Sequence, residues 1–142
     1  FFKMKNVKKV GYFDENFFLY FEETDFCFRA YKRKQKIYVL TDTNVIHKGG
    51  WSVNLNNKLE IEANKHWHFM WSKFYYNKKH NGLLYAYLIT APFMFRSLLK
   101  SFFYFFINTE KFKIYYARFS GLFNAYINKK SWYRPIIKNQ KV

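Results

Sequence analysis

Acid is scarce in this chain: nine Asp and Glu stand against 25 Lys and Arg among 142 residues, a formal charge of +16. A surface of that sign seeks an anionic partner. Cysteine is scarcer still. The single Cys27 excludes an internal disulfide, and no Cys/His spacing resembles a zinc site. A reducing compartment fits. With five Gly and two Pro there is no low-complexity linker, and no internal repeat is visible. The first ten residues mix lysines with single apolar residues and lack the apolar centre of a secretory signal. Because the chain opens on Phe1, it is expected to be a fragment without its natural N-terminus.

What the chain has in excess is aromatic: 19 Phe and 13 Tyr bring the Phe/Trp/Tyr share to 25%. The charge is unevenly spread. Residues 1–62 hold 11 Lys/Arg and 8 Asp/Glu, whereas residues 63–142 hold 14 and only Glu110. Three of the scarce carboxylates fall within four positions, Glu22, Glu23 and Asp25, in "YFEETDFCFRAYKR".

The pattern up to about residue 48 predicts alternating strand and helix. "NFFLYF" (16–21) and "KIYVL" (36–40) are short apolar runs of strand length, and "VIHKGGW" (45–51) is a strand end entering a glycine loop. Between them, from Thr24, a helix of about three turns is expected, with Asp25 in its first turn and Arg29, Lys32, Arg33 and Lys34 toward its end. Asp25 and Arg29 are spaced to pair at i,i+4.

Residues 58–80 predict a helix anchored by Ile61, Trp67, Trp71 and Phe74 and stopped at "KKHNG". Residues 83–107 are the most apolar stretch, yet Arg96 and Lys100 sit in the middle and Pro92 should break or kink it. An interfacial or re-entrant hairpin is the expectation. Thr109 is the expected cap of a last helix carrying Phe112, Tyr115, Tyr116, Phe119, Leu122, Phe123 and Tyr126 on one stripe.

Residues 10–52, "VGYFDENFFLYFEETDFCFRAYKRKQKIYVLTDTNVIHKGGWS", resemble the C-terminal half of the catalytic domain of family 2 glycosyltransferases, the bacterial rhamnosyltransferase-like members above all. The family pattern runs G-G-F-D-E-x-F-F-x-Y-x-E-[DE]-x-D-[LF]-C-x-R, then a strand, then V-x-H-x-G-G-x-S. Tyr12 replaces its second glycine, Lys34 and Gln35 fill a turn that usually holds glycine, and Thr41 replaces a common proline. Glu23 stands where many members have the shorter Asp.

The resemblance implies an α/β fold: residues 1–80 as the C-terminal portion of a GT-A nucleotide-diphospho-sugar transferase domain, and 81–142 as an aromatic, basic, membrane-associating helical extension. It implies inverting transfer from a nucleotide-sugar donor to a saccharide or polyprenyl-linked acceptor in cell-surface polysaccharide synthesis. Glu23 then takes the role of general base, with Asp25 as helper or rival and Glu22 in support. His47 is a candidate ligand of a divalent metal, Mg2+ or Mn2+, held mostly by an upstream Asp-x-Asp, so the fragment alone is expected to be inactive. Asp14, Glu15, Gly49, Gly50, Trp51 and Ser52 are the candidate substrate-binding residues.

Each of these residues has a plainer reading. The acids also suit capping of a helix, Asp14 and Glu15 also suit a loop closed by side-chain hydrogen bonds, and His47 and Trp51 also suit a packed loop. His66 and His68 in "HWH" point about 200° apart on a helix and are not expected to share an ion. The expected location is the cytoplasmic face of the inner membrane, against an anionic leaflet, with a homo-oligomer possible in principle. The competing class is a non-catalytic basic aromatic protein that binds a membrane surface or nucleic acid; the dense runs such as "SFFYFFI" speak against nucleic acid.

Overall fold

A computed structural model describes residues 3–38, 41, 42, 44, 46 and 58–134. Among these the chain forms five helices and no strand: α1 (Met4–Val10), α2 (Glu22–Lys32), α3 (Lys58–Asn81), α4 (Leu83–Ile107) and α5 (Thr109–Tyr126). The expected α/β, GT-A-type fold is therefore overturned. Residues 16–21 run through a turn and bends, and Lys36, Ile37 and Tyr38 are exposed and belong to no regular element. Val39, Leu40 and the segment 45–51 lie mostly or wholly outside the described residues, as does everything from His47 through Asn57.

The apolar run 16–21 has a different cause from the one its composition suggests. Instead of being covered on two faces, it lays its rings along α3: Phe17 on Tyr75, Phe18 on His68, Tyr20 on Phe69, and Phe21 on Phe69 and Tyr76, with centroids 4.8–5.7 Å apart. Ser72 Oγ donates to the Leu19 carbonyl at 2.9 Å and fixes the run to the helix.

Helix α3 has neither Gly nor Pro, and Trp67, Met70, Trp71 and Phe74 recur at i,i+3,i+4,i+7 on one buried face. Each of these side chains contributes about 1.5–3 kcal/mol by leaving water. They meet Ala86 of α4 and Ala117, Leu122 and Ala125 of α5. Phe74 packs on both Tyr87 and Tyr126, and Tyr104 stacks on Tyr115 at 5.5 Å, so α4 runs antiparallel to α3 and α5. Gly121 is the closest approach of α5 to α3. A Cβ there would sit 3.1 Å from the Trp67 carbonyl carbon and closer still to its oxygen.

Two connections are a single residue long. Gly82, at φ 90°, separates α3 from α4, as the expected glycine stop requires. Asn108 separates α4 from α5, and its side chain accepts from Lys111 N at 2.9 Å, so the cap lies one residue before the expected Thr109. Pro92 does not divide the apolar stretch. Helix α4 is continuous through it, held on both sides by α3 and α5, with Pro92 on the exposed face. Beyond α5 the chain folds back along α3: Lys129 O accepts from Trp71 Nε1 and Tyr133 O from Asn64 Nδ2.

Helix α1 packs on α2 through Val10, Phe26 and Ala30. No periodicity in the first ten residues announces it; a seven-residue helix gains little from propensity and depends on this contact.

Candidate functional site

The acid cluster opens α2. Glu22, Glu23 and Asp25 fill its first turn and Arg29 and Lys32 its last, as the helix dipole favours. The two residues before it, Tyr20 and Phe21, have φ of 66° and 69°. Non-glycine residues held in that region cost of the order of 1–3 kcal/mol each, and they persist where their surroundings fix them. Here the ring contacts to Phe69 and Tyr76 do so.

The three carboxylates have separate fates. Asp25 is fully buried. Its Oδ2 accepts from Arg29 Nε at 2.8 Å, and its Oδ1 meets both Lys79 Nζ and His80 Nε2 at 2.7 Å. Burial alone would raise its pKa, but the bonds from Lys79, Arg29 and His80 outweigh that and hold it below the ordinary carboxylate value. Arg29 in turn donates to the carbonyls of Val10, Gly11 and Tyr12 at 2.6–3.2 Å. Asp25 thus ties α2 to the end of α3, and through Arg29 to the end of α1. The expected i,i+4 pair is present, within a larger group that sequence spacing did not disclose, because Lys79 and His80 lie more than 50 positions away. Only the cationic end of the helix expected over residues 58–80 pointed to it.

Glu22 is half-buried, and its Oε2 is shielded from water with no hydrogen-bond partner among the described residues. Glu23 is exposed and has no ionic or hydrogen-bonding partner among them. Phe26, Cys27 and Ala30, three, four and seven positions after it on α2, line a groove of about 700 Å³ that Glu23 itself does not line. Lys3, Lys34 and Lys36 line the same groove.

Asp14 belongs to the scaffold. Its Oδ1 accepts from Asn16 N at 3.0 Å and Asn16 Nδ2 at 2.8 Å, and its Oδ2 from Tyr75 Oη at 3.1 Å and Lys79 Nζ at 2.7 Å. Desolvation works to raise its pKa, yet these bonds lower it to about 2, while burial beside Asp14 pushes the Tyr75 phenol up to about 12. Glu15 is exposed beside it. His68 is fully buried between Ser131 Oγ, 2.9 Å from Nδ1, and Tyr133 O, 2.8 Å from Nε2. Burial lowers its pKa despite the Tyr133 bond. His66 is half-buried on the neighbouring position. His47, Gly49, Gly50, Trp51 and Ser52 lie outside the described residues. Among the described residues no group of three His, Cys, Asp or Glu side chains could hold a metal ion, and His47, the expected ligand of the divalent cation, lies outside them.

These groups make stability sensitive to acid in two windows. His68, with a folded pKa below its ordinary 6.5, contributes stability above that value that is lost as pH falls through it. Asp14 contributes stability present above 3.8 and lost as pH falls toward about 2. Its share is about 1–2 kcal/mol once screening by nearby water is allowed for. Thermal midpoints followed by circular dichroism should fall in both windows, and Asp14→Asn should flatten the lower one. A variant that keeps the lower limb intact contradicts the assignment.

No protein-family model matches this chain, and no curated protein or solved structure matches it at a significant level.

Proposed function

We propose that this chain serves a glycosyltransferase, which moves a sugar with inversion from a nucleoside-diphosphate donor to a hydroxyl of a saccharide or lipid-linked acceptor at the cytoplasmic face of the membrane. The observation that carries the reading is the separation of the acids: Asp25 is held by Arg29, Lys79 and His80, while Glu23 is exposed, has no ionic or hydrogen-bonding partner among the described residues, and shares a helix face with residues that line a lysine-bearing groove. The motif of residues 10–52 supports it, as does the paired left-handed backbone at Tyr20 and Phe21, which aims the first turn of α2.

In the transfer, the acceptor oxygen bonds to the anomeric carbon as the bond to the diphosphate breaks. Glu23 takes the hydroxyl proton, and the nucleoside diphosphate leaves with the electron pair. A carboxylate suits the base role because it can reach the proton at ~2.6–3.2 Å without itself leaving water completely. Asp25 serves by holding α2 in place, and Glu22 by adding negative charge beside Glu23.

The test is transfer from a panel of UDP-, GDP- and dTDP-sugars by the natural gene product that contains these residues. Glu23→Gln should lower kcat by about 10²–10⁴-fold, the usual share of a general base, with donor affinity unchanged. Wild-type turnover by that variant would remove Glu23 from the chemistry. A non-catalytic membrane-surface protein is the second reading. The exposed apolar face of α4 favours it, but it gives no reason for the unpaired Glu23 or the backbone that precedes it.

A further inference from the structure

Helix α4 is built inside out. The side chains it buries are small, Ala86, Thr90, Ser97 and Ser101, and those it leaves exposed are large and apolar. Leu84, Leu88, Phe95, Leu99, Phe102 and Phe106 recur at spacings of three, four and seven, so they form one stripe along the whole helix, each between 52% and 73% exposed. A water-facing helix has the opposite pattern. Small inward residues and bulky outward ones are the arrangement of helices whose outer solvent is lipid. No described helix is long and apolar enough to cross a membrane, so a helix with this face would have to lie along the surface.

The cations beside the stripe say what covers it. Arg96 and Lys100 sit on the flank of α4 nearest α5, where Lys100 Nζ donates to Tyr115 Oη at 3.1 Å. Arg96 and Arg118 lie close enough to repel each other. No described carboxylate pairs with Arg96, Lys100 or Arg118, and Arg118 Nε is shielded from water without an acceptor. Three cations gathered beside an apolar stripe, with nothing among the described residues to neutralise them, complement a sheet of phosphates above hydrocarbon. A second copy of this chain fits less well, since two α4 faces brought together would also bring together two such rows on chains of +16 each.

We infer that the outer stripe of α4 lies in the headgroup boundary of an anionic bilayer, with the helix axis in the membrane plane and Arg96 and Lys100 contacting lipid phosphates. This docking surface stands apart from the sugar-transfer reading, and its test needs no turnover.

Vesicle flotation of the chain, with phosphatidylcholine alone or mixed with phosphatidylglycerol, gives the first measurement. The wild-type chain should float with the anionic vesicles and lose most of that binding in high salt. Phe95→Glu/Phe102→Glu should abolish flotation, and Arg96→Gln/Lys100→Gln should weaken it by about fivefold per cation. Helicity by circular dichroism shows that each variant is still folded; Phe95, Phe102 and Arg96 are exposed, and Lys100, half-buried, loses only its bond to Tyr115. The second measurement uses an environment-sensitive dye on Leu84→Cys, Phe95→Cys or Phe106→Cys in a Cys27→Ser background. All three positions should shift to the blue on vesicles. Flotation that survives the Phe95/Phe102 change overturns the surface, and a shift confined to Phe95 overturns the in-plane placement. A dimer in sedimentation that the same double change dissolves, with no flotation, hands the stripe to a second copy instead.

Discussion

Replacing Asp25 with alanine is expected to cost about 3–5 kcal/mol of folding stability, the range for removing one partner of a buried ion pair. The magnitude follows from what is left behind. Arg29, Lys79 and His80 have side-chain exposures of 19%, 27% and 7%, and all three lose the group they surround. Lys79 retains Asp14, but His80 has no second carboxylate. Arg29 keeps its three carbonyls, yet those are backbone dipoles and do not neutralise it. Urea denaturation measures the loss, and native-state hydrogen exchange locates it: α1 and α2 should lose protection while α3, α4 and α5 keep theirs. A loss below about 1 kcal/mol, the scale of an exposed pair, would mean that the group does not organise the site.

Gly121→Ala is the second large effect, and its sign is the informative part. In an exposed helix this change is stabilising by about 0.8–1.0 kcal/mol, because alanine is the better helix former. At this position the added methyl meets the Trp67 carbonyl group and Cα, backbone that cannot rotate away. Helices α3 and α5 must separate, which opens space around Trp67, itself 1% exposed and bonded through Nε1 to Ser120 Oγ at 3.2 Å. Overpacking of this kind costs about 1–3 kcal/mol, more than the propensity gain. The thermal midpoint should therefore drop by several degrees. A rise would show that the contact relaxes without effort.

Helices α3 and α5 were legible in the sequence, and the reason is physical: each has apolar residues recurring at helical spacing, and Gly82 marks a boundary that only a residue tolerant of φ 90° fits easily. The strand expected at 16–21 was misread for an equally physical reason. Six residues such as Asn16 to Phe21 are apolar in a strand and apolar when their rings are spread over a neighbouring helix, and local sequence does not separate the two. Pro92 was expected to break a helix that its neighbours hold together. In the site, Asp25 with Arg29 was readable from spacing, whereas Asp14 with Lys79 and Tyr75 was not, since 65 and 61 positions separate them. The inverted dressing of α4 shows how far composition goes: it announced an apolar, cation-bearing stretch, but neither the single helix nor which side chains face inward.

The single-residue joint at Gly82 has a mechanical consequence. His80, which grips Asp25, is two positions from that joint, and Leu83 beyond it begins α4. A tilt of α4 would turn on that one glycine, two positions from the side chain that fastens α2 to the bundle.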